Sequence, residues 1–490
     1  MRLGRRLGKA GRRWLLLFHR WCGIAAGLLF ALWIGSGLVM LYVPFPTLTA
    51  VERMARLGPI AWDRVTISPD AALASGAALA SGAADLPAAF GLEMRGDEPV
   101  YRITRRDGTR ATVSARSGRR LGPVTSEEAL RVAGAGLPEA RIEPVERDQW
   151  SVTARYDPLR PFLKVALGDA AETELYVSQV TGEVALDTTR FERGWNWVGS
   201  VAHWIYLTPL RARAELWRTI LLWLSGVASL GALSGLTIGI WRLRLRRPYA
   251  GGSVTPYRGL ARWHHLAGLA GGIGLGAFIV SGWISMNPNR WFASVSPPDD
   301  LRAAYAGNPP ALGIDPQRLR DFATPETRVL RFTAIGGRWW VIAEAPDSRR
   351  TVGTDGTTAL DAGRIATAAR QGFPDASLRA ARPLSAYDTY WYPHGTDPRP
   401  LPVLRMRFGD AAGTWLHIDP RDGTILQRLD RSGRINRWLF DGAHRLDLPG
   451  LTGNRPLHDS AQWVLNLLAA GIVATGILAG WRRLRRTFSI

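Results

Sequence analysis

Four apolar stretches without a charged residue constrain the fold of this chain more than any other feature. They are Trp21–Val43, Thr219–Trp241, Leu266–Met286 and Ser460–Trp481. A helix of about 20 residues crosses the roughly 30 Å hydrocarbon core of a bilayer, so each stretch is long enough to span. The first follows a basic segment, as a signal peptide would, but its apolar region is too long for one. We therefore predict an α-helical membrane protein with four transmembrane helices and an uncleaved first anchor.

The positive charge of the chain is concentrated beside these stretches. Lys and Arg number 62 against 41 acidic residues, a formal charge of +21. Segments 1–20, 242–262 and 482–490 hold 17 basic residues and no acidic one, whereas the remaining 45 basic residues nearly balance the acids. By the positive-inside rule these segments face the cytoplasm and the long intervening segments lie outside. The charge thus indicates membrane topology and argues against a nucleic-acid partner.

A single cysteine, Cys22, limits the chemistry that is possible. It excludes an intrachain disulfide, a thiolate-bound iron–sulfur cluster, a zinc ribbon and a CxxCH haem attachment. The sequence also has no Walker A motif, no HExxH motif and no GxSxG motif. With the Arg-rich composition, the lack of disulfides predicts a bacterial inner membrane with periplasmic domains.

The chain is a tandem repeat of one unit. The spacing from Gly182 to His203 is 21 residues, and the same spacing separates Gly423 from His444. A tryptophan precedes each of these histidines by six residues. At the start of each half, His19-Arg-Trp-Cys-Gly23 aligns with His264-His-Leu-Ala-Gly268. Each half therefore consists of a span, an external module, a short interfacial segment and a second span.

The repeat sets the predicted domain boundaries. They are 1–43 for the N-terminus and first span, 44–194 for the first periplasmic module, 195–241 for an interfacial segment and the second span, 242–262 for a cytoplasmic basic loop, 263–287 for the third span, 288–436 for the second periplasmic module, and 437–490 for the second interfacial segment, fourth span and tail. Each module is predicted to be a small α+β domain with an antiparallel sheet and one helix. The predicted helices are Thr125–Val132 and Ala362–Gln371, and the predicted strands include Trp150–Tyr156, Phe162–Leu167, Glu174–Val180, Val403–Phe408 and Thr414–Ile418.

Two histidines at equivalent positions, His19 and His264, begin helical faces of small residues. Four, seven and eight residues after each histidine the chain has only Gly or Ala. Such a face leaves a slot for a flat apolar cofactor, and two facing helices supply the two axial nitrogens of a haem. The alternative is close helix packing with an interfacial histidine. The recurrence at equivalent positions favours haem ligation.

A second equivalent pair, His203 and His444, lies in apolar segments too short to span, next to the second span of each half. These histidines are candidate ligands of a second haem, and the alternative is that they cap or hydrogen-bond the external domain. Membrane depth favours His19 with His264 and His203 with His444, whereas mixed pairs need a re-entrant segment. His265 is a lesser candidate, either as an alternate ligand or as a residue that contacts the ligands rather than the metal. His458 could be a ligand or contact lipid headgroups.

An aromatic cluster in the second module is the candidate substrate site. It contains Tyr390, Trp391, Tyr392 and His394, which could stack on a ligand or brace a loop. His417 lies on a predicted strand and is interpreted as structural.

Taken together, these motifs resemble the PepSY-associated transmembrane proteins of bacterial inner membranes. The resemblance is carried by Tyr390-Trp-Tyr-Pro-His394, Gly413-Thr-Trp-Leu-His-Ile-Asp-Pro-Arg-Asp-Gly423 and Arg437-Trp-Leu-Phe-Asp-Gly-Ala-His444, and in the first half by His19-Arg-Trp-Cys-Gly23 and Ala202-His203-Trp204. His458 departs from the family pattern, in which an aromatic residue is commoner. The resemblance implies PepSY-like periplasmic domains and, for some members, haem-dependent reduction of ferric siderophores.

Two functions of different classes follow. The first is a b-type haem protein, with two haems, that passes electrons from a cytoplasmic or quinol donor to a periplasmic ferric siderophore or other Fe(III) chelate. The second is a non-redox membrane module whose external domains bind a peptide, a protease or an uptake partner.

Overall fold

Two compact units make up the protein in this computed structural model, which describes residues 8–77, 86–134, 140–357, 360–394 and 399–488. The helical unit contains the chain up to Phe45, Gly194–Ala293 and the chain from Ser432 onwards. The sheet unit contains Pro46–Arg193 and Ser294–Arg431. Each half of the sequence contributes to both units.

The helical unit is built on four helices that are long and apolar enough to cross a membrane. They are α1 (Lys9–Met40), α7 (Ala214–Arg242), α8 (Gly259–Ser285) and α13 (Arg455–Phe488). All four predicted spans are therefore helical. Three of the helices extend beyond the uncharged stretch at the basic end, since long Arg side chains can follow a helix out of an apolar layer. The fourth, α7, ends only one residue after its stretch.

The four helices pack in the cyclic order α1–α7–α8–α13, which puts α1 and α8 on one diagonal. A cluster of buried apolar side chains from all four helices lies at the centre of the bundle. It consists of Ala26, Phe30, Ile34, Ala228, Leu275, Ile279, Ala469, Ile472 and Val473. Large apolar side chains such as Leu28, Trp223, Ile273 and Leu467 are exposed on the outside of the bundle. An apolar exterior around a small core is what a helix bundle in lipid requires.

Shorter helices complete the chain between the long ones. They are α2 (Ala50–Arg56), α3 (Pro69–Ala77), α4 (Ser126–Val132), α5 (Arg190–Asn196), α6 (Thr208–Arg211), α9 (Asp299–Ala306), α10 (Pro316–Leu319), α11 (Ala362–Gln371) and α12 (Arg431–Asn436). Two π-helical segments, Trp197–Val201 and Arg437–Gly442, directly follow α5 and α12.

The described residues of the sheet unit form three antiparallel sheets. In chain order the strands are β1 (Ala89–Arg95), β2 (Glu98–Thr104), β3 (Arg110–Ser114), β4 (Arg141–Val145), β5 (Phe162–Ala166), β6 (Glu174–Ser178), β7 (Val184–Thr188), β8 (Val329–Ile335), β9 (Arg338–Ala345), β10 (Ser348–Gly353), β11 (Leu378–Leu384), β12 (Val403–Phe408), β13 (Trp415–Ile418) and β14 (Ile425–Leu429). Strands β4–β7 and β11–β14 form two four-stranded sheets in sequence order. The helices α4 and α11 pack on the first and second of these, respectively.

The third sheet joins the two halves of the sequence. Its six strands follow the order β10-β9-β8-β1-β2-β3, with β1 antiparallel to β8. Gly91 pairs with Arg331, and on either side Phe90 pairs with Phe332 and Leu92 with Leu330. The sequence predicted a separate module in each half, whereas the strands of both halves pair in one sheet. Edge strands expose unpaired backbone groups, and pairing β1 with β8 satisfies both edges at once.

Most of the predicted elements of the sheet unit are confirmed. The helix Ala362–Gln371 and the strand Val403–Phe408 have the predicted bounds, and Thr125 caps α4 by accepting a hydrogen bond from the Glu128 backbone. The predicted strand Trp150–Tyr156 is wrong. Asp148 accepts hydrogen bonds from the backbone of Trp150 and Ser151. This local hydrogen bonding favours a turn over a strand.

Candidate paired-histidine sites in the helical unit

The first predicted histidine pair meets inside the bundle. His19 lies on α1 and His264 on α8, the two helices on one diagonal. Their ring centroids are 6.3 Å apart and their ring planes differ by 29°. The equivalent positions of the two repeats therefore face each other across the bundle, as the sequence predicted.

The second pair forms near the other end of the bundle. Each histidine comes two residues after a π-helical segment, and the ring centroids of His203 and His444 are 6.2 Å apart. Here the ring planes differ by 68°. Two residues after each histidine the backbone turns through a positive φ, 49° at Ile205 and 56° at Leu446. Both features are uncommon, and π-helical turns occur frequently at functional sites.

All four histidines are held by the same local motif on a neighbouring long helix. Each Nδ1 lies within hydrogen-bond distance of a Ser or Thr hydroxyl at position i+3, and each ring lies over a glycine at i+4; Nδ1 of His19, His264 and His444 also contacts the backbone carbonyl at position i. The residues at i, i+3 and i+4 are Gly231, Ser234 and Gly235 for His19; Ile472, Thr475 and Gly476 for His264; Trp33, Ser36 and Gly37 for His203; and Phe278, Ser281 and Gly282 for His444. The nitrogen-to-oxygen distances to the four hydroxyls are 3.3, 3.0, 3.0 and 3.1 Å in the same order.

These hydrogen bonds determine which nitrogen of each imidazole carries the proton. A carbonyl can only accept, and the hydroxyls of Ser36, Ser234, Ser281 and Thr475 already donate to carbonyls of their own helices. Nδ1 of His19, His264 and His444 must therefore be the protonated donor, and the same tautomer of His203 lets Ser36 keep its own hydrogen bond to Leu32. Within the described part of the chain, no hydrogen bond reaches Nε2 of any of the four. Each Nε2 lone pair is thus left for a ligand.

Burial favours the neutral form of the second pair. It lowers the pKa of His203 to about 4, with a smaller contribution from His444. Burial also lowers the pKa of His444. A neutral imidazole is the form that binds metals.

The glycine at i+4 lets each histidine ring approach the helix closely, and at Gly235 the ring occupies the space of a side chain. A Cβ on Gly235 would lie 2.5 Å from Cε1 of His19. The corresponding distances are 3.2 Å for Gly476 and His264, 3.4 Å for Gly282 and His444, and 3.5 Å for Gly37 and His203. The first of these is incompatible with any side chain unless the histidine moves.

The spacing of both pairs fits two imidazoles on one metal ion. A metal–nitrogen bond is about 2.0 Å long, and the centroid of an imidazole lies about 1.1 Å behind its nitrogen. Two imidazoles in line on opposite sides of one ion therefore have centroids about 6.2 Å apart. The observed values are 6.3 and 6.2 Å. Among the described residues, no atom lies within 4 Å of the place of a Cβ on Gly23 or Gly268, one turn after His19 and His264. This leaves open space beside the first pair, as the predicted slot requires.

The predicted slot is shorter than the sequence suggested. Gly27 packs against Ile477, Gly271 against Leu468 and Gly272 against Leu236. The small residues seven and eight positions after the histidines therefore serve helix packing. Only the glycine four positions after each histidine opens space.

The two pairs are separate sites. Ser36, which binds His203, follows His19 by 17 residues on α1, a distance of about 25 Å along a helix that rises about 1.5 Å per residue. The apolar core of the bundle, including Phe30 and Ile34, lies between them on this helix.

The two lesser candidates, His265 and His458, already use Nε2 in a hydrogen bond, so this nitrogen is not free to bind a metal. Nε2 of His265 lies 3.0 Å from the Gly239 carbonyl, and Nε2 of His458 lies 2.8 Å from the Arg445 carbonyl. His458 has an equivalent in the first half, because Trp217 donates its indole N–H to the carbonyl of Trp204. Both side chains thus hold the carbonyl of the residue that follows a histidine of the second pair.

The aromatic cluster is mostly buried within the sheet unit. Trp391 is 1% exposed, stacks on His417 at 4.8 Å and donates to the Pro400 carbonyl. Tyr392 is 5% exposed and packs on His394 at 4.2 Å. Tyr390 packs edge-on against Trp415. The arrangement matches the alternative in which these side chains brace a loop.

The motif that holds the histidines was not predicted from the sequence. Its signal is a Ser-Gly or Thr-Gly dipeptide at the same place in every span, at 36–37, 234–235, 281–282 and 475–476.

No protein-family model matches the chain, and no curated protein matches it significantly.

Proposed function

We propose that this chain is a membrane electron-transfer protein that binds two b-type haems through His19 with His264 and His203 with His444. The observation that supports the proposal is the spacing of the two pairs, with every Nδ1 hydrogen-bonded and every Nε2 free. Haem fits the donor set because two imidazoles are a common axial pair, and a single cysteine leaves no thioether attachment. When bound, the haem supplies a one-electron redox couple.

The residues around each pair would support this role. Hydrogen bonds from Nδ1 to a carbonyl and a hydroxyl fix ring orientation and raise the basicity of Nε2. The apolar bundle core excludes water, which lowers the local dielectric. Two histidines of the chain would hold each haem, so neither haem would bind a small substrate at its iron. The sites would therefore transfer electrons rather than activate a ligand.

We propose that the direction of transfer is from the basic end of the bundle to the opposite end. The flanking arginines favour a cytoplasmic location for that end, where a quinol or a reduced cytoplasmic carrier would donate electrons. The two pairs are spaced about 25 Å along a bilayer core of about 30 Å. One site near each face would let electrons cross where a single site could not.

The acceptor we propose is a periplasmic ferric siderophore or a similar Fe(III) chelate. One electron converts Fe(III) to Fe(II), and the hard oxygen donors of such chelators hold Fe(II) less strongly, so iron is released. This substrate class rests on the resemblance to PepSY-associated transmembrane proteins of the bacterial inner membrane. The same resemblance supports a periplasmic location for the sheet unit.

The first experiment is a haem count on the detergent-purified protein. We expect a low-spin b-type spectrum, oxidised and dithionite-reduced, with two haems per chain by pyridine haemochrome. The reduced protein is then mixed with a ferric hydroxamate chelate in the presence of a ferrous-iron indicator. Reoxidation of the haem with one ferrous ion per electron supports the acceptor.

Two other outcomes would contradict parts of the proposal. A haem-containing protein that the chelate does not oxidise would remove the proposed substrate class. A colourless protein after haem-replete expression would remove the redox function. The non-redox binding module would then be the better hypothesis.

A further inference from the structure

The two histidine pairs differ in one respect, the angle between their ring planes. It is 29° for His19 and His264 but 68° for His203 and His444. The Ser or Thr hydroxyl and the glycine beneath the ring are present in all four cases, so they do not explain the difference.

An aromatic side chain fixes one ring of the second pair. Phe440 stacks on His444 with centroids 5.3 Å apart and planes within 23°. The two residues are four apart in the chain, the spacing at which side chains on a helical turn meet. Phe278, on α8, packs edge-on against the same ring at 6.1 Å. One stacking ring and one edge contact leave His444 little rotation about its Cβ–Cγ bond.

The repeat lacks this feature in the first half. The residue that corresponds to Phe440 is Gly199, four positions before His203. A Cβ on Gly199 would lie 3.0 Å from Cγ1 of Val39, so α1 occupies the space of a side chain there. His203 is oriented instead by the Ser36 hydroxyl, and its ring lies over Gly37. The two rings of the second pair are thus oriented by different neighbours.

We infer that Phe440 is a positioning residue that holds the His444 ring steeply inclined to the His203 ring, which makes the second haem site electronically distinct from the first and easier to reduce. This inference rests on the proposed function.

The physical reason lies in the electron hole of low-spin Fe(III). Nearly parallel imidazoles would both overlap with the same iron d orbital and raise its energy above that of the second d orbital of the pair. The electron hole of Fe(III) then lies in the raised orbital, which stabilises the ferric state. Steeply inclined imidazoles overlap with both orbitals about equally, and this stabilisation is lost. The ferric state of the second site is then less favoured. Axial-ligand geometry is one of the means by which a protein tunes haem.

Electron paramagnetic resonance of the oxidised holoprotein tests the inference directly. We expect two low-spin signals of equal intensity: a rhombic one from the first site and a strongly anisotropic one, with a larger maximal g value, from the second. Potentiometric titration should resolve two steps, and the anisotropic signal should disappear at the higher potential. Two signals of one shape, or the reverse order of potentials, would overturn the inference.

Substitution of Phe440 assigns the effect to its residue. In Phe440→Leu the anisotropic signal should become rhombic and its step should move to lower potential, while the first signal and both haems are retained. Phe440→Tyr keeps the stacked ring and should behave as wild type, as should substitution of the exposed neighbour in Leu439→Ala. Unchanged signals in Phe440→Leu would overturn the role of Phe440.

The haem count separates this inference from the proposed function. A protein without haem contradicts the function itself. Two haems with indistinguishable signals contradict only the inference. If Phe440→Leu fails to retain its haem, the wild-type spectrum still decides whether the two sites differ.

Discussion

Gly235 on α7 lies directly beneath the ring of His19, and the place of its missing Cβ is only 2.5 Å from Cε1 of that ring. Three further glycines underlie the three other histidines of the pairs. The two repeats thus provide four copies of one holder, and each pair joins a histidine of one half to its equivalent in the other half.

Gly235→Ala should displace His19 and reduce the haem content from two per chain to about one. The added methyl group would lie too close to Cε1 of His19, so the ring must move away from the Gly231 carbonyl and the Ser234 hydroxyl that hold it. Pyridine haemochrome on purified protein measures the effect. Gly35→Ala is the matched control, since Gly35 is an exposed glycine on α1 with no atom within 4 Å of its Cβ position. Two haems in Gly235→Ala would argue against ligation by His19.

Thr475→Val should weaken the first site without abolishing it. His264 loses the hydroxyl acceptor at 3.0 Å but keeps the Ile472 carbonyl at 3.2 Å. Groups that orient metal-bound histidines typically contribute 10- to 100-fold in affinity, so we expect about 10-fold faster haem transfer to apomyoglobin. The reduction potential of this site should also rise, because the imidazole becomes a weaker donor.

Ser225→Ala is the control for this substitution. Its hydroxyl is buried and donates only to carbonyls of α7, so haem transfer and potential should match the wild type. Equal effects of the two substitutions would mean that Thr475 acts through helix packing alone.

Much of this architecture could be predicted from the sequence because it depends on local patterns. Uncharged stretches of about 20 residues locate the long helices, the repeat spacing identifies the four histidines, and membrane depth predicts their pairing. Likewise, the amphipathic pattern of Ala362–Gln371 was sufficient for a helix with the observed bounds.

The parts that could not be predicted depend on contacts between distant segments. Nothing near β1 indicates that Gly91 pairs with Arg331, because an antiparallel ladder between repeats leaves no local pattern. The histidine holders were missed for the same reason. Ser-Gly is common in membrane helices, and its meaning depends on a histidine more than 160 residues away, as for Ser281 and His444.

His458→Ala should keep both haems, whereas His444→Ala should lose one. Nε2 of His458 is engaged by the Arg445 carbonyl, which Gln462 also contacts at 2.7 Å, so the carbonyl retains one donor. Haem counts on both variants distinguish a histidine that binds haem from one that only hydrogen-bonds the neighbouring backbone. Loss of a haem in His458→Ala with full retention in His444→Ala would reverse the assignment. By the same logic His264→Ala should lose one haem while still inserting into membranes.

The sheet unit should lose stability in acid partly through His417. Burial, and then the adjacent Arg405, lower the pKa of His417 to about 3. Nε2 of His417 accepts a hydrogen bond from Arg405 at 2.7 Å, and protonation would break it. Because the unfolded chain has the ordinary value of about 6.5, it binds the proton first as the pH falls.

The stability that neutral His417 confers is therefore complete above pH 6.5. It should decrease by up to about 1.4 kcal/mol per pH unit as the pH falls towards 3. Denaturant unfolding followed by tryptophan fluorescence at pH 7.5 and 5 measures the slope. His417→Gln should be less stable at pH 7.5 but should vary less between the two pH values. An equal pH dependence in both proteins would assign the acid sensitivity to other groups.

Gly91→Ala should destabilise the sheet unit, because Gly91 lies where the two halves pair most closely. A Cβ there would lie 2.8 Å from the backbone oxygen of Leu330, and an antiparallel ladder cannot widen at one residue without losing hydrogen bonds on both sides. Overpacking of this kind costs about 1–3 kcal/mol. Chemical unfolding monitored by near-ultraviolet circular dichroism measures the loss. Gly122→Ala, at a glycine of the same unit with no atom within 4 Å of its Cβ position, should be neutral. Equal stabilities of the two variants would mean that the β1–β8 ladder contributes little to joining the repeats.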